Sequence, residues 1–593
     1  MAVLAALGGC GGGGWLALLL PLVIRAAVQS AVAVHELAHA AVAGSRVAAG
    51  SAQPVLPTLA RGLLPLQPLY LPGLDDPRRA PQVAMPSLPN RRRRAAAMAG
   101  PAANVALSLG LLVLLASAEP LPDALSVLIT ALILANLWIL ATSWTDYRCM
   151  LSGNAARLFC GNFGILAKRA RNERGFLPRR FRRMTERLGE ATDVRGQQAG
   201  GLAVMSASGR FVGRKIVNDK RGDLTRDLLG SFRRRALLRR LAGAQPRQGI
   251  FHLVGHYRYG TSSTPSVIET HWHRWQRPRR LPVWSVDGRT LVRHRRVVEN
   301  LITHNGDFLA WTAPWASLPV RELGHWLTEV LGESNAAHGD SPKIAGMLDL
   351  LHTQGQWGAA LRLSFALHAG TTMPPWYLKE LTRVAERVFE RWVDSRRAVR
   401  VGDQQPQDGD KPLLAVVGCA SLAEVHAANG AAVEQLVDDL WQASLQVSRQ
   451  WQDDAKQDLR AILQQATAAF FRNDLYRATQ LFMAGAEGTF GLVATTSLEP
   501  GAVALAADRQ PLFIGADAEA GLLVYASEAA ALKVVGESAE GRLQPMPYRC
   551  DLQDGDIALL QVREGTADNT LTLQNRYRDD APVVARISPE RLA

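Results

Sequence analysis

Apolar residues are spread unevenly along this 593-residue chain, and that unevenness restricts its folds more than any other feature. Residues 15–34 (WLALLLPLVIRAAVQSAVAV), 96–117 (AAMAGPAANVALSLGLLVLLAS) and 124–145 (ALSVLITALILANLWILATSWT) are long apolar runs, and Arg25 is the one charge in the first. The later two are long enough to cross a bilayer as helices. Nothing comparable follows, where short apolar runs alternate with Gly, Asp and Pro. The expectation is therefore a multidomain chain: an α-helical transmembrane domain over 1–150 with about three membrane helices, then a mixed folded region. A cleaved signal peptide fits the first run poorly, because no basic segment precedes it.

Arginine sets the expected orientation. Arg91 to Arg94 precede the second run, and Arg148, Lys168, Arg169 and Arg171 follow the third. Basic flanks face the cytoplasm, which makes the chain an integral membrane protein with membrane lipid as a partner and its C-terminal part cytoplasmic. The net charge of +14 would also suit a polyanion. The arginines cluster at 91–94, 168–183 and 233–240, however, and two of these clusters flank the apolar runs, so no nucleic-acid partner is expected. Five cysteines without CxxC spacing do not make a disulfide framework or a zinc finger, and a reducing compartment is expected.

The first run leads into His35-Glu36-Leu37-Ala38-His39. On a helix, positions i and i+4 share a face, so both imidazoles can ligate one zinc ion while Glu36 activates its water. The plain alternative is two helical histidines at an interface. Downstream stand Gly100-Pro101-Ala102-Ala103-Asn104, then Asn136 and Asp146. Together these resemble the site-2 protease family of intramembrane zinc proteases. The resemblance implies zinc held by His35, His39 and Asp146, with Glu36 as the catalytic base. Asp146 departs from the family pattern, being followed by Tyr147 with no proline between Asn136 and Asp146.

From Cys160 onward a second series of motifs runs in order. It comprises Cys160-Gly161-x-x-Gly164, Arg195-Gly196-Gln197, Gly255-His256-Tyr257-Arg258-Tyr259-Gly260-Thr261 and Thr303-His304-Asn305-Gly306-Asp307. Glu487-Gly488-Thr489-Phe490-Gly491, Pro511-Leu512-Phe513-Ile514-Gly515 and Asp554-Gly555-Asp556 complete it. Runs such as GIFHLVGHYRY, FGLVATT and GLLVYAS have the length and spacing of antiparallel strands. The series resembles the class II glutamine amidotransferase domain over about 160–565. That resemblance implies an α+β N-terminal-nucleophile fold, an αββα sandwich, acting on glutamine.

The same resemblance assigns roles. Cys160 is the nucleophile, Asn305 and the Gly306 N–H form the oxyanion hole, Arg258 pairs with the glutamine α-carboxylate, and Asp340 holds its α-ammonium. Each has a bland counterpart: a surface arginine on a strand, a hairpin turn at Asn305-Gly306, and an N-cap at Asp340 before KIAGMLDLL. His271 and His273 read as structural.

Residues 373–398 and 430–481 carry apolar residues at helical spacing, and 401–411 is a polar link. The expected division is 160–345 and 481–570 for the amidotransferase parts, 346–480 for a helical insertion and 571–593 for a tail. No acceptor domain is recognised before Ala593, so ammonia is expected to pass to a separate acceptor. A homo-oligomer is compatible with the sequence.

The family chemistry needs a free α-amine on the nucleophile, yet 159 residues precede Cys160. The expected resolution is cleavage before Cys160 by the chain's own zinc protease segment, with self-processing by the cysteine as competitor. The alternative function is an intramembrane protease acting on other proteins, regulated by a catalytically silent glutamine- or partner-binding module.

Overall fold

The computed structural model describes residues 160–587 apart from 170–172, 174, 197, 219–222, 242–248, 259–265, 397, 401–413, 449–452, 538–542, 563–568 and 579–580, together with 107–109, 129–130 and 133. The part beyond Leu158 is one compact unit, Phe159–Ala593. Among its described residues thirteen strands build two large antiparallel sheets. In chain order they are β1 (Gly161–Lys168), β2 (Ala199–Met205), β3 (Phe211–Val217), β4 (Ile250–Arg258), β5 (Asn300–Asn305), β6 (Phe490–Thr496), β7 (Ala502–Asp508), β8 (Phe513–Asp517), β9 (Leu522–Ala526), β10 (Tyr548–Asp551), β11 (Asp556–Val562), β12 (Asn569–Asn575) and β13 (Val583–Ile587). The first sheet has the order β10-β8-β9-β1-β4-β2-β3, and the second β13-β12-β11-β7-β6-β5. Val583–Ile587, inside the stretch read as a tail, is thus an edge strand.

Side-chain alternation explains how the sheets stack. Along β9, Leu522, Val524 and Ala526 join one core cluster, while Leu523 and Tyr525 join another. Along β7, Val503, Leu505 and Ala507 share the cluster of Leu523 and Tyr525, and Ala502, Ala504 and Ala506 point the other way. The shared cluster lies between the two sheets, and each outer face carries helices. Strands covered on both faces lose the alternation of apolar and polar residues, which is why β6 and β7 read as near-continuous apolar runs, while the polar residues of β1 and β4, among them Asn162 and His256, are buried with their strands.

The helices, in chain order, are α1 (Arg179–Asp193), α2 (Leu224–Leu241), α3 (Val320–Leu331), α4 (Ser341–Leu351), α5 (Trp357–Ala369), α6 (Pro375–Asp394), α7 (Leu422–Ala428), α8 (Gly430–Leu445), α9 (Asp453–Arg472), α10 (Leu475–Gly485) and α11 (Ala529–Val534). The helical pattern over 430–481 is carried by three helices, α8 to α10. On α1, Phe181, Met184, Leu188 and Thr192 are buried at helical spacing and the arginines lie on the other faces. Phe181 stacks on Phe251 of β4, with centroids 4.0 Å apart and planes 5° from parallel. The helices of 346–480 share a core with the second sheet. Trp357, Phe389, Leu436 and Phe470 belong to the same cluster as Leu492 of β6 and Ile557 of β11.

Two glycines of the central strands make room for aromatic rings. Gly255 of β4 is the register partner of Phe163, and a Cβ there would run into the Phe163 ring. Gly164 of β1 is the partner of Tyr525, whose hydroxyl occupies the space a Cβ would need.

The expected α-helical transmembrane domain is corrected. Among the described residues no helix is long and apolar enough to cross a membrane, and the architecture they make is mixed, with antiparallel sheets dominant. An apolar run records only that its side chains avoid water, and a protein core satisfies that as well as lipid does. Ile129 and Ile133, among the few described positions of the third run, are buried. The remainder of the three runs lies outside the described residues. The integral-membrane placement, its cytoplasmic orientation and the lipid partner rested on those runs and are withdrawn with them.

Candidate active site

Cys160 stands immediately before β1, half-buried and in no disulfide. Its surroundings are crowded. A Cβ on Gly161 would run into the Thr192 methyl at the end of α1, so this position accepts only glycine without rearrangement. Just beyond that helix, Arg195 is 8 % exposed. Its Nη1 donates to the Cys160 carbonyl at 3.3 Å, and its Nε forms an ion pair with Glu528. The main chain at Cys160 is thus held by a guanidinium that is itself anchored.

Two residues on, Asn162 ties β1 to the facing sheet. Its Nδ2 donates to the Gly491 carbonyl of β6 at 2.6 Å, and Gly491 is the register partner of Asn305 at the end of β5. The Asn162 N–H donates to Ser527 Oγ at 3.0 Å, and the Ser527 N–H donates back to the Asn162 carbonyl at 2.8 Å. Asn305 Nδ2 also donates to Ser527 Oγ, at 2.7 Å. Cys160 and Asn305, 145 residues apart by number, are therefore brought to the same end of the sandwich through one buried serine.

Gly306 has φ +113°, a conformation L side chains rarely adopt. A Cβ there would run into the Thr489 carbonyl, with the Thr489 hydroxyl at 2.6 Å. Thr489 fixes the turn further: Asp307 N–H donates to its Oγ1 at 3.0 Å, and its own N–H donates to the Asp307 carbonyl at 2.8 Å. This Asn-Gly pair is no ordinary two-residue hairpin, since β5 pairs with β6 from far along the chain.

Arg258, at the end of β4, is 8 % exposed, and its carbonyl accepts from the Gln198 N–H at 3.2 Å. Asp340 is the N-cap of α4. Its Oδ1 accepts from the Ser341 N–H at 2.7 Å and its Oδ2 from the Phe308 N–H at 2.8 Å. The bland reading of Asp340 is thus present in the structure, and its second oxygen also ties the start of α4 to Phe308, two residues after Gly306. Burial, then repulsion from Asp340, raises the Asp307 carboxyl above its usual range. Two neighbouring carboxylates beside Gly306 favour a cationic ligand there.

Histidines fill the space behind. His256 of β4 pairs in register with Asn162 and stacks on His271 at 4.0 Å, which meets His273 edge-on at 4.4 Å. Burial, followed by the Arg258 charge, lowers His256 to about 3. Burial and the neighbouring imidazoles likewise push His271 well below its usual value, while for His273 burial is followed by Lys215. These rings are neutral at physiological pH and behave as polar core. His304 uses Nδ1 toward Ser341 Oγ at 3.1 Å and Nε2 toward the Thr489 carbonyl at 3.2 Å.

Among the described residues no group of three or more His, Cys, Asp or Glu is placed to hold a metal ion. His35, Glu36, His39 and Asp146 lie outside the described residues, and so does the zinc they were expected to bind.

No family model matches the chain, and no curated protein matches it. A solved structure described as the allosteric regulatory enzyme of purine biosynthesis aligns at 12% identity, covering 72% of this chain and 49% of that one, with a TM-score of 0.25. The chain spans about half the length of that protein. A superposition this loose carries neither a fold nor an activity across.

Asn162, Arg195, Thr489 and Ser527 all lie in motifs or apolar runs legible in the sequence but carried no role there, and Glu528 lay in none of them. The one local signal for the last two was a Ser-Glu pair directly following the apolar strand LLVYA.

Proposed function

We propose that residues 160–587 form a glutamine amidotransferase of the N-terminal-nucleophile type, active once the bond before Cys160 is cut. The observation that carries this reading is the Ser527 link, which joins the strand following Cys160 to the side chain of Asn305. A thiol nucleophile and an amide donor held on facing sheets are what amide hydrolysis through a tetrahedral intermediate requires.

In this reading the Cys160 thiol attacks the side-chain carbonyl carbon of glutamine. The freed α-amine of Cys160, titrating near ~8, takes the thiol proton and later delivers it to the leaving ammonia. Asn305 Nδ2 and the Gly306 N–H hold the oxyanion. Water then resolves the thioester to glutamate. Arg258 receives the α-carboxylate, where a planar guanidinium pairs well, and Asp340, with Asp307 beside it, receives the α-ammonium. Ammonia goes to an acceptor the chain does not identify. In the intact chain the Cys160 nitrogen is an amide and cannot act as a base, so processing and activity must appear together. We further propose that the segment His35-Glu36-Leu37-Ala38-His39, with zinc and Asp146, makes the cut.

The test combines N-terminal sequencing and intact mass of the purified protein with glutamate release from glutamine. A fragment beginning at Cys160 that hydrolyses glutamine, and loses this activity in Cys160→Ala, supports the proposal. An intact chain that binds glutamine without hydrolysing it would move the assignment to a silent binding module.

A further inference from the structure

We infer that Ser527 is a positioning residue that locks the Asn305 amide against the strand bearing Cys160; this deepens the glutaminase reading and rests on it. Ser527 follows β9 directly and is fully buried. Its Oγ accepts from the Asn162 N–H and from Asn305 Nδ2, residues separated from it by 365 and 222 positions and belonging to different sheets. The next residue, Glu528, holds Arg195, which in turn donates to the Cys160 carbonyl. One dipeptide therefore grips both the main chain at the nucleophile and the side chain of the oxyanion donor.

The chemistry gives this grip a purpose. An asparagine amide is planar and carries two N–H protons. With one committed to Ser527 Oγ, the plane of the group is set and the second proton has a defined direction. Terminal sp³–sp² torsions are otherwise broad, and an oxyanion donor is effective only when it is already aimed before charge develops. Removing the Ser527 hydroxyl frees the Asn305 torsion and takes the acceptor from the Asn162 N–H, while the fold keeps its core contacts.

The experiment is steady-state glutamine hydrolysis by the protein expressed as the full chain and shown by intact mass to be processed to Cys160, and by its Ser527→Ala, Ser527→Thr, Asn305→Ala and Ser527→Ala/Asn305→Ala variants in the same processed form. Asn305→Ala should lower kcat by about 10²–10³-fold, as loss of an oxyanion donor does. Ser527→Ala should lower kcat by roughly 10–100-fold with KM within about twofold, because the interaction it supports is realised in the transition state. Ser527→Thr, which keeps a hydroxyl, should recover most of that loss. The double variant should be no slower than Asn305→Ala alone, since Ser527 acts through Asn305. Alkylation of Cys160 by iodoacetamide should proceed at the unmodified rate throughout.

A Ser527→Ala kcat within twofold of the unmodified protein overturns the inference, and so does a double variant whose losses multiply. Should Ser527→Ala not fold, Ser527→Cys carries the same expectation of a kcat loss at constant KM. An unmodified protein that begins at Cys160 and releases no glutamate from glutamine removes the glutaminase reading itself, and this inference with it. Turnover in the unmodified protein matched by Ser527→Ala removes the positioning role alone.

Discussion

Gly306→Ala separates two costs that the structure places at one position. The backbone there has φ +113°, and the added methyl would run into the Thr489 carbonyl. Holding a non-glycine residue in a sparsely populated region costs about 1–3 kcal/mol. Forcing an extra methyl into filled space costs about 1–3 kcal/mol more. Gly288, in the turn between strands Arg279–Asp287 and Thr290–Val298, is the internal control, since it has φ +60° and nothing within 4 Å of its Cβ position. Gly288→Ala should cost only the conformational part, about 1–2 kcal/mol. Denaturant midpoints of the two variants, measured on the full chain, should therefore differ, with Gly306→Ala the less stable by roughly 1–4 kcal/mol from the two costs combined. On the proposed function, glutamine hydrolysis should fall in Gly306→Ala and stay unchanged in Gly288→Ala, because relieving the clash moves the Gly306 N–H away from the oxyanion position proposed for it. Equal midpoints and equal activities would refute the argument that Thr489 closes this turn.

Three other perturbations follow from the packing, the titration behaviour and the processing model. Phe181→Ala removes a fully buried ring stacked on Phe251 and should cost about 3–5 kcal/mol, read as a lowered denaturant midpoint. Burial raises Asp349 from its ordinary 3.8 to about 6, despite hydrogen bonds from the Gln276 N–H and Asn300. The native state therefore holds a proton that the unfolded state has released between these values, so its stabilising contribution is full below about pH 4 and lost as pH rises through about 6. Asp349→Asn should flatten the stability profile across pH 4–6 by up to ~3 kcal/mol, and an unchanged slope counts against it. If the His35–His39 segment makes the cut before Cys160, Glu36→Gln or zinc chelation during expression should leave the chain intact by mass. Normal processing in both would assign the cut to Cys160 itself.

Much of the local structure was legible because it depends on neighbours in the chain. The helical pattern at 373–398 corresponds to α6, Pro375–Asp394, and the runs IFHLVGHYR and FGLVATT are β4 and β6. Asp340, ahead of a Ser-Pro pair and an apolar helix, is an N-cap as its position suggests. The helical spacing over 430–481 did not show where α8, α9 and α10 begin and end: α8 stops at Leu445 and α10 starts after its Asp474 cap. Hydropathy misled at the N-terminal runs, since it measures avoidance of water and not what replaces the water.

By itself, then, the sequence determined which residues are apolar on which face, where glycine frees the backbone, and which side chains carry chemistry. Tertiary structure alone decided which of these meet. Ser527 reaches Asn162 and Asn305, Glu528 anchors Arg195, and the helices of 346–480 share a core with the second sheet. The physical reason is the range of the forces: propensity, capping and alternation act over a few residues, whereas the candidate site is closed by contacts between strands hundreds of residues apart. No short-range pattern encodes the partner of a buried hydroxyl.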